Sequence, residues 1–237
     1  VVSLFPIQLD GIVVAKKAKT ILGPLSVAIK ASGPTIVIGP NGAGKTTFLR
    51  LIHGLERAKT GTLSFGLSDE KEIYRKQCFV FQKPIMLRRS ALDNVAYPLI
   101  LRGEAKTTAR EQAYAMIERV GLREAADTRA TFLSGGEAQK LAIARALVTK
   151  PELLILDEPS ASLDSSATQD IEALISSVSN EGIEVLMTTH HMGQARRLAR
   201  RIIFLNKGRL LEISEANSFW NAPTSEEAQR FIMGEIV

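Results

Sequence analysis

Four short runs in the chain are apolar at almost every position: Thr35-Ile36-Val37-Ile38, Leu153-Leu154-Ile155-Leu156, Val185-Leu186-Met187-Thr188 and Ile202-Ile203-Phe204-Leu205. A strand with one wet face shows a polar residue at every second position. These runs do not, so they read as strands covered on both faces, the arrangement that a parallel sheet demands. Between them, Gly136 to Val148 and Ser166 to Ser179 read as helices. Strand alternating with helix implies an α/β fold with a mostly parallel sheet. The start of the chain differs: Ile7 and Leu9, then Leu25, Val27 and Ile29, alternate as in an antiparallel β flank. From Lys83 to Phe132 no strong strand pattern appears, and Thr108 to Val120 has helical spacing, so this stretch reads as an inserted helical lobe. The expected organisation is one domain over 1–237, with a core of 1–82 and 134–237 and a lobe of 83–133.

Composition narrows the class without deciding it. Hydrophobic residues at 45% and charged residues at 23% match an ordinary globular protein. The single cysteine, Cys78, rules out an internal disulfide, and its neighbours Phe79-Val80-Phe81 suggest a small buried hydrophobe. No apolar run approaches the ~20 residues of a membrane helix, and Val1-Val2-Ser3-Leu4-Phe5-Pro6 lacks the basic start of a signal peptide. A cytosolic chain is expected, with any membrane role carried by a partner. Thirty Lys and Arg against 25 Asp and Glu leave a net charge of +5, which suits nucleotide, nucleic acid or an anionic membrane face. Basic clusters occur at Lys16, Lys17 and Lys19, at Arg88 and Arg89, and at Arg196, Arg197, Arg200 and Arg201. On a helix the last four would form one stripe. No aromatics interleave with these clusters, which argues against single-strand nucleic-acid binding.

The chemistry begins at Gly39-Pro40-Asn41-Gly42-Ala43-Gly44-Lys45-Thr46-Thr47, the P-loop spacing Gly-x4-Gly-Lys-Thr between an expected strand and an expected helix. Such glycines let backbone N–H groups close around phosphate oxygens at a helix N-terminus. Lys45 is positioned for the β- and γ-phosphates and the Thr46 hydroxyl for Mg²⁺. The strand Leu153–Leu156 ends in Asp157-Glu158-Pro159. Asp157 can hold the metal shell, and Glu158 can polarise an attacking water. Leu133-Ser134-Gly135-Gly136-Glu137-Ala138-Gln139 precedes a helix. Ser134 with Glu137 three residues on is a capping box, and the same segment could be a second phosphate-gripping helix end. On spacing alone the two readings stand level.

Leu133 to Gln139 resembles the signature motif of the ABC ATPases, and together with Gly39–Thr47 and Leu153–Glu158 the likeness extends over nearly the whole chain. The resemblance implies a P-loop NTPase core and Mg-dependent ATP hydrolysis. It also assigns further residues. Gln82 matches the Q-loop glutamine, which senses the metal and contacts the membrane partner. Asp164, in Ala161-Ser162-Leu163-Asp164, matches the D-loop aspartate, and His190, in Thr188-Thr189-His190, matches the switch histidine that contacts the γ-phosphate. Two such cassettes pair head to tail, so each ATP is held by Lys45, Thr46 and Thr47 of one copy and by the Ser134-Gly135-Gly136 segment of the other.

Three positions depart from the family pattern. No aromatic occurs from Pro6 to Ala31 to stack on adenine; Lys16 falls near that position, and comparable turnover of ATP and GTP is expected, with Phe5 as the substitute aromatic if selectivity is strong. Ala161-Ser162 stands where the family favours Ser-Ala, and His191 stands where aspartate is usual. The short tail after Gly208 and the run Met86-Leu87-Arg88-Arg89-Ser90 look most like importer ATPases, closest to oxyanion importers of the tungstate type. That likeness implies an integral membrane transporter subunit and an extracytoplasmic solute-binding protein as partners, at the cytoplasmic face of the membrane and without nucleic acid. Pro84, Met86, Leu87 and Tyr97 are the expected contacts for a short helix of the membrane subunit. The rival classes are a soluble ABC ATPase of iron–sulfur cluster assembly and a DNA-associated ABC ATPase.

Overall fold

The computed structural model describes residues 3–17 and 19–235, so Val1 and Val2 of the amino-terminal stretch and Ile236 and Val237 of the tail lie outside the described residues. Numbered in chain order, the elements are β1 (Ile7–Lys16), β2 (Lys19–Ile29), β3 (Thr35–Ile38), α1 (Lys45–His53), β4 (Thr60–Ser64), α2 (Glu70–Arg75), β5 (Gln77–Val80), α3 (Ala91–Leu101) and α4 (Lys106–Arg119). They continue with α5 (Gly135–Leu147), β6 (Leu153–Asp157), α6 (Ser165–Asn180), β7 (Glu184–Thr188), α7 (Met192–Leu198), β8 (Arg201–Asn206), β9 (Arg209–Glu215), α8 (Ala216–Asn221) and α9 (Glu226–Ile232). Among the described residues no helix is long and apolar enough to cross a membrane.

The main sheet runs β5-β6-β7-β3-β8-β9, parallel except for the antiparallel edge pair β8–β9. Its four central strands are the four apolar runs. Successive side chains of a strand point to opposite faces, and both faces here are dry. Ile36, Ile38, Leu154 and Leu156 pack with α5, α6 and α7 residues such as Ile143, Ile171 and Ala195. Val37, Leu153 and Ile155 pack on the other side with α1 residues Phe48, Leu49 and Ile52. The second sheet, β2-β1-β4, is antiparallel and closes over that side through Leu9, Ile12, Val14 and Leu22.

Between β5 and β6 the chain is helical. Leu92, Val95 and Leu99 of α3 and Ala109, Ala113 and Ile117 of α4 form a separate cluster. Leu141, Ala144 and Val148 join that cluster, while Ala142, Ile143, Ala146 and Leu147 join the main core. Thus α5 is apolar on two sides and ties the helical region to the sheet.

Some expectations change. The apolar stretch from Cys78 to Phe81 lies in strand β5 only as far as Val80, and Phe81 already lies beyond it. The arginine stripe does not exist: α7 ends at Leu198, Ala199 is extended, and Arg201 opens β8. Arg196 lies over the Trp220 ring, Arg197 pairs with Glu172 and Arg201 with Glu215. The strands β4 and β9 and the helices α2, α8 and α9 carry no clear periodicity in the sequence, because each is short and partly exposed.

One carboxylate fastens the flank to the sheet. Glu152, immediately before β6, accepts from the Leu4 backbone N–H at 2.8 Å and the Ser3 hydroxyl at 3.4 Å, and pairs with Lys76 before β5. Burial raises its pKa, but these donors outweigh burial and hold it below the ordinary 4.5. A depressed folded-state pKa means stability that is present above 4.5 and lost as pH falls through the folded value. We predict that Glu152→Gln costs about 1.5 kcal/mol at pH 7 in denaturant unfolding. The gap to the unmodified protein should close as the pH is lowered below 4.5.

Candidate functional site

The P-loop joins β3 to α1, and its shape requires glycine. At Gly39 (φ 148°) a Cβ would stand 1.9 Å from the Leu205 carbonyl oxygen of β8. The loop is propped from behind by the β8–β9 turn, where the Gly208 N–H donates to the Ala43 carbonyl at 3.0 Å. Asn41 and Gly42 are exposed, whereas Lys45 is buried. The Lys45 ammonium donates to the Gly39 and Pro40 carbonyls at 2.8 and 3.1 Å, folded across the mouth of its own loop. Burial lowers its pKa against the opposing pull of Glu158 and Asp157.

Asp157 ends β6, one strand removed from β3. One of its oxygens accepts from the Thr46 hydroxyl at 3.0 Å and from the Thr188 hydroxyl at 2.8 Å. The next residue, Glu158, has φ 47°, a left-handed conformation that costs a non-glycine residue about 1–3 kcal/mol. Its backbone N–H is secured by the Thr188 hydroxyl at 2.9 Å and the Thr188 carbonyl at 3.2 Å. Its carboxylate oxygen Oε2 accepts from Gln82 Nε2 at 3.2 Å and faces His190 Nδ1 at 3.2 Å. The His191 ring lies 4.1 Å from that of His190, centroid to centroid. Residues distant in sequence therefore converge: Lys45, Thr46, Gln82, Asp157, Glu158 and His190 share one edge of the sheet, and Thr47 follows on the first turn of α1.

The signature segment stands elsewhere. Ser134 caps α5: its Oγ accepts from the Glu137 N–H at 3.4 Å, while Glu137 accepts from the Ser134 N–H at 2.8 Å. The Ser134 bonds hold the Glu137 pKa down. Asp164 caps α6 by accepting from the Ala167 N–H at 2.8 Å. Both caps line one cleft of about 320 Å³, which contains no P-loop residue. Gly136 permits this closeness, since a Cβ there would meet the Ala167 Cβ at 3.0 Å. Within one chain, Ser134, Gly135, Gly136 and Asp164 do not meet Lys45.

Next to Gln82 runs a groove of about 600 Å³ between β5 and α3, lined by Pro84, Ile85, Leu87, Tyr97 and Leu101 among others. Ile85 is 77% exposed, while Met86 turns inward and packs against the core instead. The loop from Leu87 to Ser90 is held by Asn94, which is fully buried and bonds Leu87 N at 2.9 Å, Leu87 O at 3.2 Å and Ser90 O at 2.9 Å. Lys16 pairs with Glu56 at 2.9 Å, and Phe5 packs into the flank's core with Val27 and Leu63. The anchoring roles of Thr188 and Asn94 were not apparent in the sequence: Thr188 offered only a polar residue at the end of an apolar run, and Asn94, between Asp93 and Val95, offered no signal.

The donor set suits a magnesium nucleotide. A hydroxyl and a carboxylate at Thr46 and Asp157 are hard oxygen ligands, and a glycine-rich loop opening a helix is a phosphate cradle. Fold and loop together define a P-loop nucleotide-binding protein of the α/β class. The ABC transporter family matches this chain over residues 22–161. The tungstate uptake ATP-binding protein TupC of Peptoclostridium acidaminophilum is 41% identical over 202 residues, covering 85% of this chain and 93% of that protein. The glutamine transport ATP-binding protein GlnQ of Escherichia coli K12 is 34% identical over 221 residues, covering 90% and 92%. An ATP-binding cassette solved as a dimer in a post-hydrolysis state with ADP and Pi superposes with a TM-score of 0.78 at 28% identity, covering 89% of this chain and 98% of that one. This chain belongs to the ABC transporter family, as an ATP-binding subunit.

Because Thr188 is fully buried and serves Asp157 and the strained Glu158 together, its hydroxyl matters more than its shape. Thr188→Val, nearly the same volume, should cost about 1–3 kcal/mol in equilibrium unfolding. A change of a few tenths would show that both groups find other partners.

Proposed function

We propose that this subunit hydrolyses Mg-ATP to drive an importer of a small solute, an oxyanion of the tungstate kind. The observation that carries the hydrolytic reading is the shared oxygen of Glu158, flanked by Gln82 and His190 at the end of the strand that bears Asp157. In this reading the loop N–H groups of 39–44 and Lys45 bind the phosphates. Lys45 leaves the Gly39 and Pro40 carbonyls for the β- and γ-phosphate oxygens. Thr46, Asp157 and Gln82 would hold Mg²⁺, which would supply positive charge against the phosphates. Glu158 accepts a proton from the water that attacks the γ-phosphorus; the bond to the β-phosphate oxygen breaks, and ADP and Pi result. His190 steadies the γ-phosphate. The core is 1–82 and 134–237, with 83–133 as the helical lobe.

The geometry supports a second copy. Two helix N-termini able to grip phosphate, at Lys45 and at Gly135, stand in separate clefts of one chain. A head-to-tail partner supplies Ser134-Gly135-Gly136 and Asp164 to the ATP on this subunit's P-loop. In this reading the apolar groove beside Gln82 receives a short helix of the integral membrane subunit, and the protein works at the cytoplasmic face of the membrane. An extracytoplasmic binding protein delivers the cargo. The likeness to the tungstate protein supports the oxyanion; the iron–sulfur and DNA-associated alternatives have no comparable support.

Replacing the base tests the hydrolytic reading. Glu158→Gln should still bind ATP and should lose turnover by about a hundredfold or more, since an amide cannot take the proton. With Mg-ATP it should sediment as a dimer, while Lys45→Ala should lose most nucleotide affinity. Near-normal hydrolysis by Glu158→Gln would transfer the base role to another group.

Docking is tested at Ile85, whose exposure makes it harmless to the fold. Ile85→Asp should retain the isolated subunit's ATPase activity and unfolding curve and abolish ATP-driven uptake in the assembled transporter. Unimpaired uptake would remove the groove from the interface.

A further inference from the structure

A polar network buried behind the site has no part in the chemistry above. Two residues past Glu158 the chain reaches Ser160, which is 3% exposed, and it runs on to Asp164, the cap of α6. Gln194 lies on α7, four residues past His190, and is 1% exposed. Its Nε2 donates to Ser160 Oγ at 2.9 Å and to Glu172 Oε1 at 3.3 Å, and its Oε1 accepts from Ser160 Oγ at 3.2 Å. Glu172, on α6, is fixed in turn by Arg197, whose Nε and terminal nitrogen reach both carboxylate oxygens at 2.7 Å. The amide thus joins the loop that follows Glu158, the helix capped by Asp164, and the helix that follows His190.

Burying an amide beside a carboxylate carries a desolvation cost that an aliphatic side chain between α6 and α7 would avoid. In return the amide offers directed bonds to a loop that has no regular structure of its own, from Pro159 to Asp164. Helix packing alone does not fix such a loop; a satisfied polar network does. We propose that Gln194, braced by the Glu172–Arg197 pair, is a positioning residue that sets the Glu158–Asp164 loop in register with His190. It touches neither nucleotide nor reacting water, and it acts on turnover through Ser160. This rests on the ATPase reading of the site.

The network predicts a specific kinetic pattern. Gln194→Leu should lower kcat for Mg-ATP about tenfold, the worth of hydrogen bonds to a charged group and its neighbour. KM for ATP should stay within about twofold, because the network has no contact with the P-loop. Gln194→Glu should lose activity similarly by setting a second carboxylate against Glu172. Adding Glu172→Gln to that variant should restore most of kcat. The exchanged pair can still bond, and a glutamate at position 194 gains Arg197 three residues along the same helix. The exchange also keeps the test decisive if Gln194→Leu folds poorly, with thermal unfolding recorded for each variant. Unchanged kcat in Gln194→Leu, or an exchanged double variant no faster than Gln194→Glu, would reduce the network to packing and overturn the proposal. A wild-type protein without ATPase activity would overturn the hydrolytic reading first, and so separates the two failures.

Discussion

The constraint on which everything else depends is a parallel sheet buried on both faces. Strands β3, β6 and β7 have almost no exposed residue, so a polar side chain can enter only where a strand ends. Parallel strands bring all their carboxyl ends to one edge. That edge therefore receives Gly39 from β3, Asp157 and Glu158 from β6, and Thr188 to His190 from β7, with Gln82 shortly after β5. The site is the set of positions at which this sheet first permits polarity. Its members come from all over the sequence for that reason.

At that edge the chain is held under tension. The left-handed backbone of Glu158 persists because Thr188 pins its N–H from the neighbouring strand. The same hydroxyl donates to Asp157, so the two neighbouring carboxylates share one anchor. Lys45 is buried against loop carbonyls, and burial lowers its pKa against the weaker opposing pull of Glu158 and Asp157. Each group is held by a neutral partner, a hydroxyl or a backbone carbonyl.

How much of this was legible follows from the same physics. Burial on both faces leaves an unmistakable run of Val, Leu and Ile, so β3, β6, β7 and β8 could be read within a residue or two. The flank was legible because Ile7 and Leu9 alternate with exposed neighbours. Strand β9 was not, since its residues are buried irregularly at the sheet edge. The arginine stripe failed because i, i+4 spacing states what a helix would do, and Ala199 ends the helix early. Met86 failed differently: neighbours in sequence, Ile85 and Met86 point to opposite sides of the loop, one to solvent and one to the core. The local chemistry of Gly39–Thr47 could be read, but the separation of Ser134 from it depends on where α5 packs.

That packing has one more consequence. Helix α5 begins at the signature segment and presents Ala142, Arg145 and Ala146 to the groove beside Gln82. Ser134 precedes Ala142 by one short stretch of the same rigid element, about 12 Å along its axis at 1.5 Å per residue. On its other side α5 carries Leu141, Ala144 and Val148 into the lobe's cluster. The same helix therefore walls the groove with its middle turns and carries Ser134 at its N-terminus. In the transporter reading, occupation of the groove and placement of Ser134 are two ends of one helix, and neither can shift without moving the other.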